Sequence, residues 1–282
     1  MAVRLIAIDI DGTLLDSRWR LSGANARAIA QASAQGIEVA LVTGRRFDFA
    51  LPVAGQLAGP VTMIVNNGAL IRSRDGATHL RRLLSADTAR RVLAFTQPWR
   101  ETAAVVFDRP MKNQVVLEKI PWDDPIRGGY FARNRPFLAE VSPLEACLTE
   151  DPIQVMFTGA VAVIRDVERA LSSAGLGDTF FSAVTIYETR NFGMIDVLNP
   201  ACSKGAALAG WARVRGYARE EVMAIGDNLN DREMLSFAGV PVVMGNAVPE
   251  LKDQGWHETR SNDEDGVAVA IEAFALGTAP CA

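Results

Sequence analysis

Histidine and cysteine are scarce in this chain. Of 282 residues, two are histidines, His79 and His257, and three are cysteines, Cys147, Cys202 and Cys281. Two histidines give little support to a histidine-rich metal site or to histidine-based catalysis. Three cysteines, widely separated and with no CxxC spacing, outline neither a disulfide framework nor a cysteine zinc site, and read as packing residues in a reducing compartment. Long apolar runs are absent too: nothing approaches the about 18 residues of a membrane span, and the only N-terminal apolar run is broken by Asp9, which the core of a signal peptide does not tolerate. Positive charge is not in surplus. A formal charge of -4 and a pI near 5.4 leave no electrostatic footprint for nucleic acid or an anionic membrane. The expectations are a cytoplasmic protein with no nucleic-acid and no membrane partner. GxSxG, Walker A, HExxH and GxGxxG patterns are all missing. Acidic residues are left as the main carriers of chemistry.

What is present is a hydrophobic content of 49%, ample for a core, arranged in a repeating order. The run 3–8 reads as a buried strand, 23–35 as an Ala-rich helix, and 37–42 as a second strand closed by Thr43, Gly44 and Arg45. Residues 61–65 repeat the pattern and end in Asn66, Asn67 and Gly68. After an interruption the rhythm resumes: Ser203 caps a helix over 204–214, 222–225 is an apolar strand ending in Gly226 and Asp227, and 240–244 is another ending in Gly245 and Asn246. Continuous apolar strands alternating with helices predict a parallel sheet covered on both faces. Ligands of such sheets bind at the C-terminal ends of the strands.

The middle of the chain has a different texture. Runs at 103–107, 114–120, 153–157, 183–187 and 194–198 read as strands of an antiparallel or mixed sheet, with helices at 86–95 and 161–174. Residues 121–136, rich in Pro, Gly and Arg, read as a loop. The fold class is therefore α/β, with a Rossmann-like, doubly wound parallel sheet as core and an inserted α+β domain. The expected division is 1–83 with 197–282 for the core and 84–196 for the insertion.

Asp9 and Asp11 stand one residue apart where the first strand opens into a loop, and side chains two apart on a strand point the same way. Carboxylates held that close resist joint ionisation unless a cation lies between them, and a hard divalent ion such as Mg²⁺ satisfies that need. A bare DxDG also reads as a solvated turn. The loop Gly226-Asp227-Asn228-Leu229-Asn230-Asp231 tips the balance, because it brings further acids to the end of another strand. Thr43 and Gly44 end a third, where a hydroxyl and an N–H suit an anion. Lys204 opens a helix, a position the helix dipole disfavours for a cation unless an anion shares it, although taken alone it reads as an exposed lysine.

Together these residues resemble the haloacid dehalogenase superfamily of phosphotransferases. Asp9-Ile10-Asp11-Gly12-Thr13 is similar to its first motif, Thr43-Gly44-Arg45 to its second, Lys204 to its third and the 226–231 loop to its fourth. The long insertion between the second and third motifs, Asn67-Gly68-Ala69, Met244-Gly245-Asn246-Ala247 and Ser261-Asn262-Asp263-Glu264-Asp265-Gly266-Val267 resemble its Cof-type branch. The resemblance implies a cap of C2 type and a Mg²⁺-dependent phosphatase of small phosphorylated metabolites, either sugar phosphates or phosphorylated cofactors. It implies that Asp9 is the nucleophile that becomes an aspartyl-phosphate, and that Asp11 is the acid and base. It implies metal ligation by Asp9, the backbone of Asp11 and Asp227, with Asp231 behind them. Ile10, Thr43, Gly44, Lys204 and Asn230 would hold the phosphoryl oxygens.

A phosphomutase or a pathway-specific sugar-phosphate phosphatase of the same superfamily, and a non-catalytic sensor of a phosphorylated ligand, are the competing readings. The insertion implies a cap that shuts over the substrate; its Arg127, Arg133 and Arg135, with Trp122 and Tyr130, fit an anionic substrate but equally a solvated loop. Glu188, Arg190 and Asn191 are in the same position, and Trp99 and Trp211 read as core.

Overall fold

A computed structural model of the chain describes residues 2–277, so Cys281 lies outside the described residues. The chain divides into two compact units, 1–81 with 203–282 and 82–202.

The first N-terminal segment carries β1 (Leu5–Ile8), α1 (Gly23–Ala34), β2 (Glu38–Val42), α2 (Phe47–Ala54), β3 (Val61–Val65), β4 (Leu70–Ser73) and β5 (Thr78–Arg81). The insertion carries α3 (Ala86–Phe95), β6 (Ala103–Val106), β7 (Val115–Leu117), α4 (Gly128–Asn134), β8 (Leu138–Glu140), β9 (Gln154–Gly159), α5 (Val161–Ser173), β10 (Phe181–Tyr187) and β11 (Phe192–Leu198). The return segment carries α6 (Lys204–Arg215), β12 (Val222–Gly226), α7 (Arg232–Phe237), β13 (Val240–Val243), α8 (Pro249–Lys252), β14 (His257–Glu258) and α9 (Gly266–Phe274).

Among the described residues, the first unit is built on one sheet of order β14-β13-β12-β1-β2-β3-β4-β5. Its strands run parallel from β14 to β3, and every residue of β1 and β12 is buried, as a sheet covered on both faces requires. β1 is central: β2 and β3 follow on one side and β12 and β13 on the other, so the winding reverses at β1. Register puts Ile8 level with Ile225 and Leu41, so Asp9, Gly226 and Val42 leave the sheet side by side. The reversal opens a crevice at that edge.

One feature of this unit departs from expectation. β4 and β5 form an antiparallel hairpin on β3 that was not anticipated, since β5 is short and largely exposed and its THLR sequence has no apolar alternation to betray it. β1 ends at Ile8, where the run 3–8 predicts, before the aspartates.

The second unit has a six-stranded sheet of order β10-β11-β9-β6-β7-β8, antiparallel except between β7 and β8, with Phe107, Phe157, Ile164, Val167 and Ile195 in its core. Here the expectation of a loop over 121–136 is corrected, because α4 occupies 128–134. Asp124 organises the approach, accepting from the N–H groups of Ile126 and Arg127 at 2.9 and 2.8 Å, and fully buried Phe131 anchors the helix. Arg127 is paired with Asp124 at 2.8 Å, and Arg135 lies over the Trp122 ring at 4.6 Å. Trp99 packs partly buried against this core, and Trp211 is buried in the first unit. Cys147 and Cys202 are free and buried, and burial pushes both thiols up to about 11.

At the start of β2, the edge opposite Thr43, Glu38 gathers four donors. Its carboxylate accepts from Trp211 Nε1 at 2.7 Å, Arg215 Nε at 2.7 Å, Tyr217 OH at 3.0 Å and Thr62 Oγ1 at 3.1 Å. The group ties α6 to the sheet. Replacing Glu38 with Ala leaves the indole and phenol donors without their acceptor, an expected loss of about 2 kcal/mol in urea unfolding. A loss under about 0.5 kcal/mol would show the network to be dispensable.

Candidate active site

The edge where Asp9 and Gly226 emerge is organised around a buried lysine. Ser203 caps α6 by accepting from the N–H of Ala206 at 3.0 Å, which starts the helix at Lys204. Gly205 then lets α6 approach α7 closely: a Cβ there would lie 2.5 Å from Glu233 Cβ. Lys204 is consequently driven inward, not outward as its sequence position alone would suggest, and is only 2% exposed. Its Nζ donates to Asp9 Oδ1 and to Asp231 Oδ1, each at 2.6 Å. A buried ammonium held by two carboxylates is compensated, whereas a lone one is not.

Asp231 is used twice. While Oδ1 meets Lys204, Oδ2 accepts the backbone N–H groups of Asp227 and Asn228, both at 3.0 Å. That pairing curls the 227–231 loop so that Asp227 turns back toward β1. Thr13 donates its hydroxyl to Asp227 Oδ1 at 2.8 Å. Gly12, at φ +85°, permits the approach, since a Cβ there would stand 2.4 Å from Asp227 Oδ2. Asp9, Asp227 and Asp231 thus offer oxygens within 4.8 Å of one another, all buried.

Three carboxylates against one ammonium leave the cluster short of positive charge. Burial pushes Asp9 up to about 7, with the charges of Asp231 and Asp11 adding to the rise and Lys204 opposing it. Asp227 is pushed well above the ordinary carboxylate range by burial and by Asp9 and Asp231. For Lys204, burial works downward, but the negative charges of Asp231 and Asp9 outweigh it and hold the ammonium firmly protonated. A hard cation fits this set, which offers buried oxygens and excess negative charge. Asp231 has both oxygens engaged by its own chain. Among the described residues no partner takes Oδ2 of Asp9 or of Asp227.

Asp11 is elsewhere. Because β1 ends at Ile8, the two-residue alternation does not carry through 9–11, and the carboxylates are held by different cations. Asp11 forms a two-pronged pair with Arg45, Nε to Oδ2 at 2.7 Å and Nη2 to Oδ1 at 2.6 Å, and Arg45 lies over the exposed Trp19 ring at 5.4 Å. Arg45, quoted only as part of a motif, is the contact least visible in advance. Thr43 is buried at the end of β2, its Oγ1 accepting the N–H of Arg45 at 3.1 Å. Gly44 abuts the Asn67 side chain, whose Oδ1 accepts from Asn230 Nδ2 at 3.3 Å. Ile10 is fully buried between the two aspartates. The structure therefore joins Asp9, Lys204, Asp227, Asp231 and Thr13 in one cluster, and Thr43, Gly44, Asn67 and Asn230 along a second line. Sequence reasoning missed Thr13 and Asn67 as partners, although both stood inside quoted motifs.

The open, reversing parallel sheet thus carries at its carboxyl edge a lysine-bridged acidic cluster that could hold a metal ion. The family model for haloacid dehalogenase-like hydrolases matches residues 6–271, and the chain belongs to that family. It is 30% identical to an HMP-PP phosphatase from Klebsiella pneumoniae, over 88% of this chain and 86% of the relative. It is 26% identical to a phosphoglycolate phosphatase from Methanothermobacter thermautotrophicus, over 96% of this chain and 99% of the relative. Among solved structures, a haloacid dehalogenase-like hydrolase from Bacteroides thetaiotaomicron superposes with a TM-score of 0.78 at 25% identity, covering 96% of this chain and 99% of that one.

The buried acids set a pH dependence. For Asp9 the folded value, about 7, lies above the ordinary 3.8. Stability is therefore full below about pH 4 for this group, falls as the unfolded carboxylate ionises first, and is lost once pH passes the folded value. Asp227 acts in the same direction. Thermal unfolding in a chelator, followed from pH 5 to 8, is expected to show a falling midpoint. A midpoint that rises over that window would contradict the protonated, buried state of these acids.

Proposed function

We propose that the protein is a Mg²⁺-dependent phosphatase that hydrolyses phosphate monoesters of small metabolites, sugar phosphates or phosphorylated cofactors, through an aspartyl-phosphate on Asp9. The observation that carries the reading is the Lys204 bridge between Asp9 and Asp231 beside Asp227, because it pairs a nucleophilic carboxylate with a fixed cation. Relatives named for the hydrolysis of different small phosphates support the class and leave the particular substrate open.

The chemistry divides between two steps. Asp9 Oδ attacks phosphorus while the bond to the leaving oxygen breaks; that oxygen takes the electron pair and a proton from Asp11. Asp11, now a carboxylate, removes a proton from water as its oxygen attacks phosphorus and Asp9 departs as a carboxylate. The acid role requires Asp11 to turn from Arg45 and carry a proton. Lys204, Thr43, Gly44, Asn230 and the N–H of Ile10 hold the phosphoryl oxygens, where charge spreads in the transition state. Asp9, Asp227 and the main-chain carbonyl of Asp11 hold Mg²⁺, with Asp231 orienting from behind. When bound, the ion supplies positive charge against the transferring group and relieves the repulsion between the acids. All these residues belong to the 1–83 and 197–282 portion of the chain. The free, buried thiols support a reducing, cytoplasmic setting.

Hydrolysis of 4-nitrophenyl phosphate is expected to require Mg²⁺, to stop in excess chelator and to fall by at least about 10³-fold in Asp9→Asn, with the circular dichroism spectrum unchanged. Turnover at the wild-type rate in that variant would remove Asp9 as nucleophile. Asp11→Asn is expected to lose far more activity on a phosphate with a poor leaving group than on 4-nitrophenyl phosphate. Equal losses on both would remove the proton-transfer role.

A further inference from the structure

Two quoted stretches, 244–247 and 261–267, have no part in the chemistry assigned above. Both meet the loop that follows Asp9. The turn at 244–248 holds two backbones at once. Met244 N–H donates to Gly226 O at 3.1 Å and Val248 N–H to Asp227 O at 3.0 Å, while the Asn246 side chain donates from Nδ2 to Gly12 O at 2.8 Å. Oδ1 of Asn246 accepts the N–H of Asn262 at 2.9 Å. A carbonyl can only accept and an N–H only donate, so these two partners fix which way the Asn246 amide faces.

Asn262 extends the contact, donating from Nδ2 to Leu15 O at 2.9 Å, and Asp263 Oδ1 accepts the N–H of Ser17 at 2.8 Å. On its other side the loop is folded on itself, with Leu14 N–H bonded to Asp9 O at 3.2 Å and Leu15 N–H to Ile10 O at 3.0 Å. Three groups of the 12–17 loop, Gly12 O, Leu15 O and the Ser17 N–H, are thus taken by side chains more than 200 positions away.

We infer that Asn246, Asn262 and Asp263 form a latch that sets the pose of the Gly12-Thr13 peptide beside Asp11, and that they are positioning residues for proton delivery to the leaving oxygen. This rests on the phosphatase reading. Gly12 sits at φ +85° and has no side chain to hold it, so its carbonyl is the natural handle. Asn246 takes that handle and, through the same turn, carries Asp227. The Gly12-Thr13 peptide joins Asp11 through the single Cα of Gly12, so a change in its pose moves Asp11 relative to Asp9, and a displacement near 1 Å costs up to about 10²-fold in rate. A latch that only pinned the C-terminal segment would lower stability and leave the response to leaving groups alone.

The test compares phenyl phosphate with 4-nitrophenyl phosphate, similar in shape and different in leaving-group basicity. Asn246→Asp keeps the oxygen for Asn262 and loses the donor to Gly12. Its kcat is expected to fall about tenfold more on phenyl phosphate than on 4-nitrophenyl phosphate, with KM changed less than about threefold. Asn262→Ala should show the same selective loss, which covers the case of an Asn246 variant that does not fold. Asp263→Ala should share it too, and Asp263→Asn, which still offers Ser17 an oxygen, should restore the wild-type ratio. Equal losses on both substrates, or none, overturn the latch while leaving the phosphatase reading standing. A wild-type protein that hydrolyses neither substrate overturns both.

Discussion

The contact between Lys204 and the two carboxylates of Asp9 and Asp231 is the constraint on which the carboxyl edge of the sheet depends. A buried ammonium without partners carries a penalty of several kcal/mol, so α6 can start at Lys204 only if β1 and the 227–231 loop bring their acids to it. Asp231 can do so only because its second oxygen holds the backbone of Asp227 and Asn228 in a tight curl. That curl in turn aims Asp227 at Thr13. The bridge is a structural element whose geometry also places a buried carboxylate beside a fixed cation, so on the proposed reading stability and chemistry would share the same atoms.

The bridge is incomplete as an account of charge. One ammonium cannot neutralise Asp9, Asp227 and Asp231, and the shortfall shows in the raised values of Asp9 and Asp227. Burial and mutual repulsion oppose full ionisation of these acids, a conflict that a divalent cation among them would relieve. A divalent ion bound among them would couple its binding to ionisation of the acids. The same deficit bears on the substrate: a phosphoryl group adds negative charge, and without added positive charge Lys204 alone would face it and the acids together.

Much of this edge was legible because each strand ends where apolar residues give way to Gly, Asp or Thr. Asp9, Thr43 and Asp227 were marked by that abrupt change of type and the parallel sheet by its continuous apolar runs, whereas Lys204 stood out only as a cation at a helix start and, with Asp231, through the resemblance of its motif. Other features left no such mark. The burial of Lys204 depends on Gly205 meeting α7, a contact across 28 residues that no local pattern records. β5 is an exposed edge strand, and α4 is held by one buried phenylalanine amid glycine and arginine, so composition pointed to loop in both places. The different partners of Asp9 and Asp11 escaped because alternation was extended to Asp11, three residues beyond the strand's end at Ile8.

The acids and their partners lie far apart in the chain, and this has a physical consequence. Asp9 meets Lys204 across 195 residues and Thr13 meets Asp227 across 214, so the contacts exist only once β12 has paired with β1. An unpaired fragment has charged side chains in water and gains nothing from them, while the assembled sheet edge gains all of them together. The loop after Asp9 is the last link in that closure. Its inward bonds are local and can form early, but its outward carbonyls wait for Asn246 and Asn262 from the C-terminal segment. Closing the sheet with β12 brings the acids together, and seating the 244–262 region fixes how the first of those loops faces them.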